Sequence, residues 1–163
     1  MGVIINFLKE HYVFLVVSLF LFIALSPAIG LDLTGNDWNN FDYIIKNFGH
    51  GFLPFRIPPS FYFTQYGTLY ASIAYAMQVF GTSPTFHHIN NIFFRIVASI
   101  AIYLLVNWWS KRKVAGIIAG AFFAISYPGI ESTVWSAHFL TYISVILLCI
   151  ILRGYSRITN KRD

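Results

Sequence analysis

From Tyr12 to Gly30 the chain reads YVFLVVSLFLFIALSPAIG, without one charged residue. A run of this kind matches the ~20 residues needed to cross ~30 Å of hydrocarbon and exceeds the apolar core of a secretory signal. Ser26, Ala28 and Gly30 are small enough for signal cleavage, but the length favours a retained anchor. Three further apolar runs follow: Phe86 to Trp109, Val114 to Tyr127 and Phe139 to Leu152, the last two short enough that each borrows a turn from its flanks. Gly116, Ala119 and Gly120 give the third run a small-residue face suited to close helix packing.

Composition points the same way. Only 10% of residues are charged and 57% are hydrophobic, whereas soluble domains carry about 25% charged residues. The formal charge of +5 does not suggest nucleic acid, because the bases flank apolar runs as topology signals do. Cys149 is the one cysteine, so no intrachain disulfide forms.

The segment QYGTLYASIAYAMQVFG, Gln65 to Gly81, is uncharged and long enough to be a fifth span. Its Tyr, Thr, Ser and Gln content, with Tyr66, Leu69, Tyr70, Ile73, Met77 and Phe80 on one helical face, fits an interfacial helix better. Topology supports that choice. Four spans with the N-terminus inside place Lys9, Lys111, Arg112, Lys113, Arg153, Arg157, Lys161 and Arg162 in the cytoplasm. Lys46 and Arg56 then lie outside, with Arg95 inside a helix. Five spans with the N-terminus outside would also satisfy the rule, but the charges flanking the first span oppose it: Lys9 precedes, and Asp32, Asp37 and Asp42 follow. The expected fold is therefore all-α: a polytopic membrane protein with four transmembrane helices at about 12–30, 86–109, 114–128 and 137–153. Residues 31–85 form a long external loop carrying interfacial helices, and both termini are cytoplasmic.

This topology puts Asp32, Asp37, Asp42 and Glu131 on the outer face, and four candidate positions follow. In LTGNDWNNFDYI, Asn36 or Asp37 is placed to cap a helix running through Phe41, Ile44 and Ile45, or Asp37 serves as a general base at the membrane surface. Asp42 projects elsewhere and reads as structural. In HHINNIFFR, His88, Asn91 and Arg95 lie at i, i+3 and i+7, so they stack on one helix face. They either glue helices together, with Arg95 snorkelling or pairing with Glu131, or bind an anionic head group. Arg56, between prolines in PFRIPPS, is either a solvated surface cation or a preset phosphate grip. In YPGIESTVWSAH, Glu131 or Ser132 caps the last helix, or Glu131 joins an external polar site. The chain has no Gly-rich nucleotide loop, no metal-spaced Cys/His set and no nucleophile elbow.

The order of these motifs resembles the N-terminal module of the C-type (GT-C) polytopic membrane glycosyltransferases. That group includes protein O-mannosyltransferases and aminoarabinose transferases. The matching elements are Asn36-Asp37-Trp38 after the first span and Arg56-Ile57-Pro58. They continue with Phe80-Gly81, His88-Ile89-Asn90-Asn91, and the Pro-x-x-Glu-Ser-x-x-Trp turn from Pro128 to Trp135. The resemblance implies transfer of a sugar from a polyprenyl-phosphate carrier to an acceptor on the non-cytoplasmic face, with inversion. Asp37 would be the catalytic base; Arg56, and Arg95 more weakly, would meet the phosphate; His88, Asn91 and Glu131 would line the substrate cavity. It implies no required cofactor, leaves a divalent metal open, and names membrane lipid and lipid-linked sugar as partners. The family usually has a His later in the second span, where this chain has Phe94-Arg95. Full-length relatives carry about twice as many spans or more, so the expectation is an incomplete module: a truncated product, one half of a split enzyme, or a module whose remaining helices come from a partner subunit. The rival expectation is a non-catalytic scaffold or lipid-head-group-binding subunit. A small transporter is disfavoured because no span is broken mid-membrane.

Overall fold

The structure, a computed structural model, describes residues 2–33, 35–48, 67–126 and 139–159. The described residues are helical, with no strand among them. The helices are α1 (Gly2–Leu25), α2 (Gly35–Phe48), α3 (Gly67–Phe80), α4 (Pro84–Ser110), α5 (Lys113–Ile125) and α6 (Phe139–Thr159).

Local chemistry sets where these helices stop. Pro27 lacks an N–H, and α1 gives way there to a 3-10 turn over Ser26–Gly30. Helix α3 ends at Gly81, whose φ of 62° is left-handed and favours glycine, while its N–H closes on Met77 O at 2.8 Å. Pro84 then opens α4 from an extended Ser83, using a position where a missing N–H costs nothing. At the far end Lys111 adopts φ 56°, and Ser110 Oγ accepts the Arg112 N–H at 3.2 Å to close a tight turn into α5.

Helix α4 is the hub. It packs most extensively against α5 and α6 and also meets α1. Helices α4 and α5 run antiparallel, with Gly116 near the start of α5 against Tyr103 and Arg95 reaching Ser126 at its end, while His11 of α1 hydrogen-bonds Tyr103 of α4. Helix α6 runs parallel to α4, with Phe139 beside Phe94 at their starts (rings 5.8 Å apart) and Leu105 and Leu152 lining one hollow near their ends. The expected small-residue face exists. Gly116 and Gly120 are buried and Ala119 is half-buried, Ala124 extends the buried face, and a Cβ on Gly116 would lie 2.8 Å from Tyr103 O.

This topology sorts charge between the two ends of the bundle. The Lys111–Arg112–Lys113 turn and the last turns of α6, with Arg157, stand at one end. Asp37 of α2 stands at the other, beside the start of α4. Polar side chains share the interior with apolar ones while large apolar side chains face outward. His87, His88, Asn91, Arg95 and Ser99 are fully buried, while Phe20, Ile118, Phe122, Ile151 and Tyr155 are exposed.

Two helices, Pro84–Ser110 and Phe139–Ile158, are long and apolar enough to cross a membrane, whereas Leu15–Gly30 and Lys113–Ile125 are apolar but shorter. The expected boundaries shift. Helix α1 begins at Gly2 rather than near residue 12, and α6 continues to Thr159. The third run, expected to borrow a turn and reach residue 128, forms a 13-residue helix ending at Ile125. At 1.5 Å per residue that is only ~20 Å. Ser126 there turns extended while its N–H closes on Phe122 O at 2.9 Å.

The expected external loop holds α2 and α3, which pack on one another. In α3, Ile73 is buried and Met77 and Phe80 are half-buried, as the helical spacing predicts. Ser72, Ala74 and Ala76 are buried too, so the covered arc is wider than one stripe; Tyr75 and Val79 face outward.

Candidate functional site

Asp37, singled out from sequence, sits in the first turn of α2 and is 1% exposed. The helix begins at Gly35, three residues earlier than a cap at Asp37 requires and two earlier than a cap at Asn36 requires, so neither is the cap residue. A first-turn carboxylate still faces the positive end of the helix dipole. With Phe41 and Ile44 at i+4 and i+7 it forms the buried stripe of α2. Asp42 lies off that stripe, exposed and paired with Lys46 at 2.5 Å, which fits the structural role expected of it.

What Asp37 faces was not anticipated from sequence. Its charge acts on His87 at the start of α4. The His87 ring is fully buried, packed against Phe41 (5.3 Å between centroids) and Phe80 (6.0 Å). Its Nε2 lies 3.0 Å from the Gly81 carbonyl, so Nε2 carries the hydrogen and donates it. Nδ1 is then the acceptor of the neutral ring, and it is buried without a hydrogen-bond partner. Three elements thus converge on one imidazole: the first turn of α2, the glycine turn ending α3, and the first turn of α4.

His88, Asn91 and Arg95 do share the buried face of α4, as their spacing predicts, and all are fully buried. Arg95 is engaged in joining helices. Nη2 donates to Ser126 O at the end of α5 (3.1 Å), and the guanidinium hydrogen-bonds the Tyr142 side chain of α6. One planar, multi-donor group therefore stitches three helices. Those are the contacts of the helix-gluing alternative. Arg56, Glu131 and the Pro128–Trp135 turn lie outside the described residues, as does Tyr66.

The buried polar face continues down α4 through Ser99, whose Oγ donates to Arg95 O (2.8 Å), to Tyr103 and its partner His11. Sequence reading passed over both Tyr103 and His11. Among the described residues no three or more His, Cys, Asp or Glu side chains cluster as a metal site would require.

No family model, curated protein or solved structure matches this chain. The reading of its function therefore rests on the chain's own geometry and on its motifs.

Proposed function

We propose that this chain is a membrane glycosyltransferase module of the C-type, taking a sugar from a polyprenyl-phosphate carrier to an acceptor hydroxyl on the non-cytoplasmic face. Four spans, at α1, α4, α5 and α6 with their flanks, put the basic end in the cytoplasm and Asp37 on the opposite side. The observation that carries the reading is the burial, at that acidic end, of Asp37 near enough to the buried His87 for its charge to act on the ring. A carboxylate and an imidazole withdrawn from water are costly to keep, and such pairs concentrate at sites of proton transfer.

In this reading Asp37 takes the proton of the acceptor hydroxyl as the oxygen attacks the anomeric carbon. The carbon–oxygen bond to the carrier phosphate breaks on the opposite face, giving inversion. His87 is a positioning residue: held by Gly81, it fixes the electrostatic setting of the carboxylate. Arg56 meets the departing phosphate, and Glu131 holds a sugar hydroxyl. Because Arg95 is occupied between helices, its part is to fix α4 rather than to bind phosphate. Helices from a partner subunit would complete the enzyme.

The test is transfer from polyprenyl-phosphate sugar in proteoliposomes of the full chain supplemented with membranes of the source cell. Asp37→Asn should lower the rate by ~10²–10⁴-fold. Wild-type rates in that variant would end the assignment. The second reading, a non-catalytic scaffold, draws on the three-helix stitching by Arg95. It would be favoured if wild-type chain gave no transfer under any supplementation.

A further inference from the structure

Two apolar hollows lie end to end between the parallel helices α4 and α6, toward the basic end. The deeper one, about 230 Å³, is walled by Val97, Leu104, Ile146, Cys149 and Arg153 among others. The outer one, about 290 Å³, is walled by Trp108, Trp109, Leu152, Tyr155 and Ser156. Leu105 lines both, so the two hollows adjoin along the α4–α6 groove.

Arg153 lines the deeper hollow, next in α6 to Leu152 of the outer one, and its Nε is buried with no hydrogen-bond partner. Such a donor in an apolar wall is costly unless an acceptor arrives from outside the chain. The described charges near this end are mostly cations, from Lys111 to Lys113 and at Arg157, with Glu10 of α1 the acid on that side, whereas Asp32, Asp37 and Asp42 belong to the segment at the other end. Trp108, Trp109 and Tyr155 supply rings with one apolar and one wet edge, the residues favoured at head-group depth. A second copy of this chain in the same membrane would bring its own basic end alongside, adding repulsion rather than relieving Arg153. An anion with an apolar tail answers every feature of the groove.

We infer that the α4–α6 groove binds an anionic glycerophospholipid of the leaflet at the basic end. One acyl chain lies along the deeper hollow, and the phosphate meets Arg153 beside Ser156 and the two tryptophans. This inference rests on the membrane placement and is independent of sugar transfer.

The test is native mass spectrometry of the full chain released from vesicles of equimolar phosphatidylglycerol and phosphatidylcholine. Wild type should retain one phosphatidylglycerol in preference to phosphatidylcholine. Arg153→Gln should lower that preference about tenfold, as expected for losing a charge-assisted contact. Ala101→Leu, which adds bulk inside the deeper hollow, should reduce retention of both lipids. Arg157→Gln, altering an exposed cation outside the groove wall, should leave the preference unchanged. Equal retention of the two lipids by wild type would overturn the proposal. So would an Arg157→Gln effect matching that of Arg153→Gln, which would indicate a diffuse basic surface. So would a lipid-free dimer lost on Ala101→Leu, which would put a second copy in the groove.

Discussion

The His87 ring is tied through Nε2 to the Gly81 carbonyl at 3.0 Å, across the turn that ends α3 and begins α4. That one bond fixes the ring's tautomer and holds the α3–α4 corner. His87→Phe keeps an aromatic ring against Phe41 and Phe80 but leaves the carbonyl without its donor. The variant should lose about 1–3 kcal/mol of stability, read as a lower midpoint in detergent unfolding. An unchanged midpoint would show that the bond contributes nothing to the corner.

Asp37 separates stability from chemistry. Because it lies inside the first turn of α2, Asp37→Asn removes a charge–dipole interaction worth roughly 0.3–1 kcal/mol and preserves shape. Asp37→Ala also empties part of the buried stripe and should be the less stable of the two. Unfolding midpoints ordered wild type, then Asn, then Ala, alongside equally deep loss of transfer in both variants, are the expected result. Transfer that tracked the midpoints would assign Asp37 to folding alone.

The same substitution should have opposite signs at two glycines. A methyl at Gly116 meets the Tyr103 carbonyl oxygen at 2.8 Å, and backbone cannot swing aside, so Gly116→Ala should push α5 away from α4 and destabilise. At Gly154 in α6 nothing lies within 4 Å, and Gly154→Ala should stabilise by about 0.5–1 kcal/mol through helix propensity. Thermal unfolding of the two variants side by side checks the pair; a common sign would refute the packing argument.

His11 and Tyr103 bond across α1 and α4 in the buried interior. A double-mutant cycle with His11→Phe and Tyr103→Phe should show coupling of about 0.6–1.7 kcal/mol, the range for interhelical bonds within bilayers. Additive effects would mean that the two helices are held by packing alone.

Helix α4 has 27 residues and so spans ~40 Å, more than the hydrocarbon thickness. Thr82 before it and Ser110 at its end are both exposed. In a chain with Cys149 replaced by Ala, cysteines at Thr82 and Ser110 should react with impermeant reagents from opposite sides of the membrane. Labelling from one side would sink the four-span topology.

Helix formation, the apolar runs and the segregation of charge were legible in the sequence because each depends on local composition or on one helical period. The small-residue face of α5 was legible for the same reason: Gly116 and Gly120 repeat at helical spacing. The stacking of His88, Asn91 and Arg95 on α4 likewise follows from period alone. What those faces meet does not. Adjacent residues on a helix point about 100° apart, so only the rotation of α4 against α2 selected His87, rather than any residue of the predicted row, to face Asp37. Arg95 found a backbone carbonyl at the end of α5, a partner with no side-chain signature to read. Tyr103 and His11 stand far apart in sequence, and only the packing of α1 on α4 brought them together. Sequence by itself determined the helices and the polarity of their ends; tertiary packing decided which buried polar groups became partners, because that choice depends on helix rotation and crossing, which no local pattern encodes.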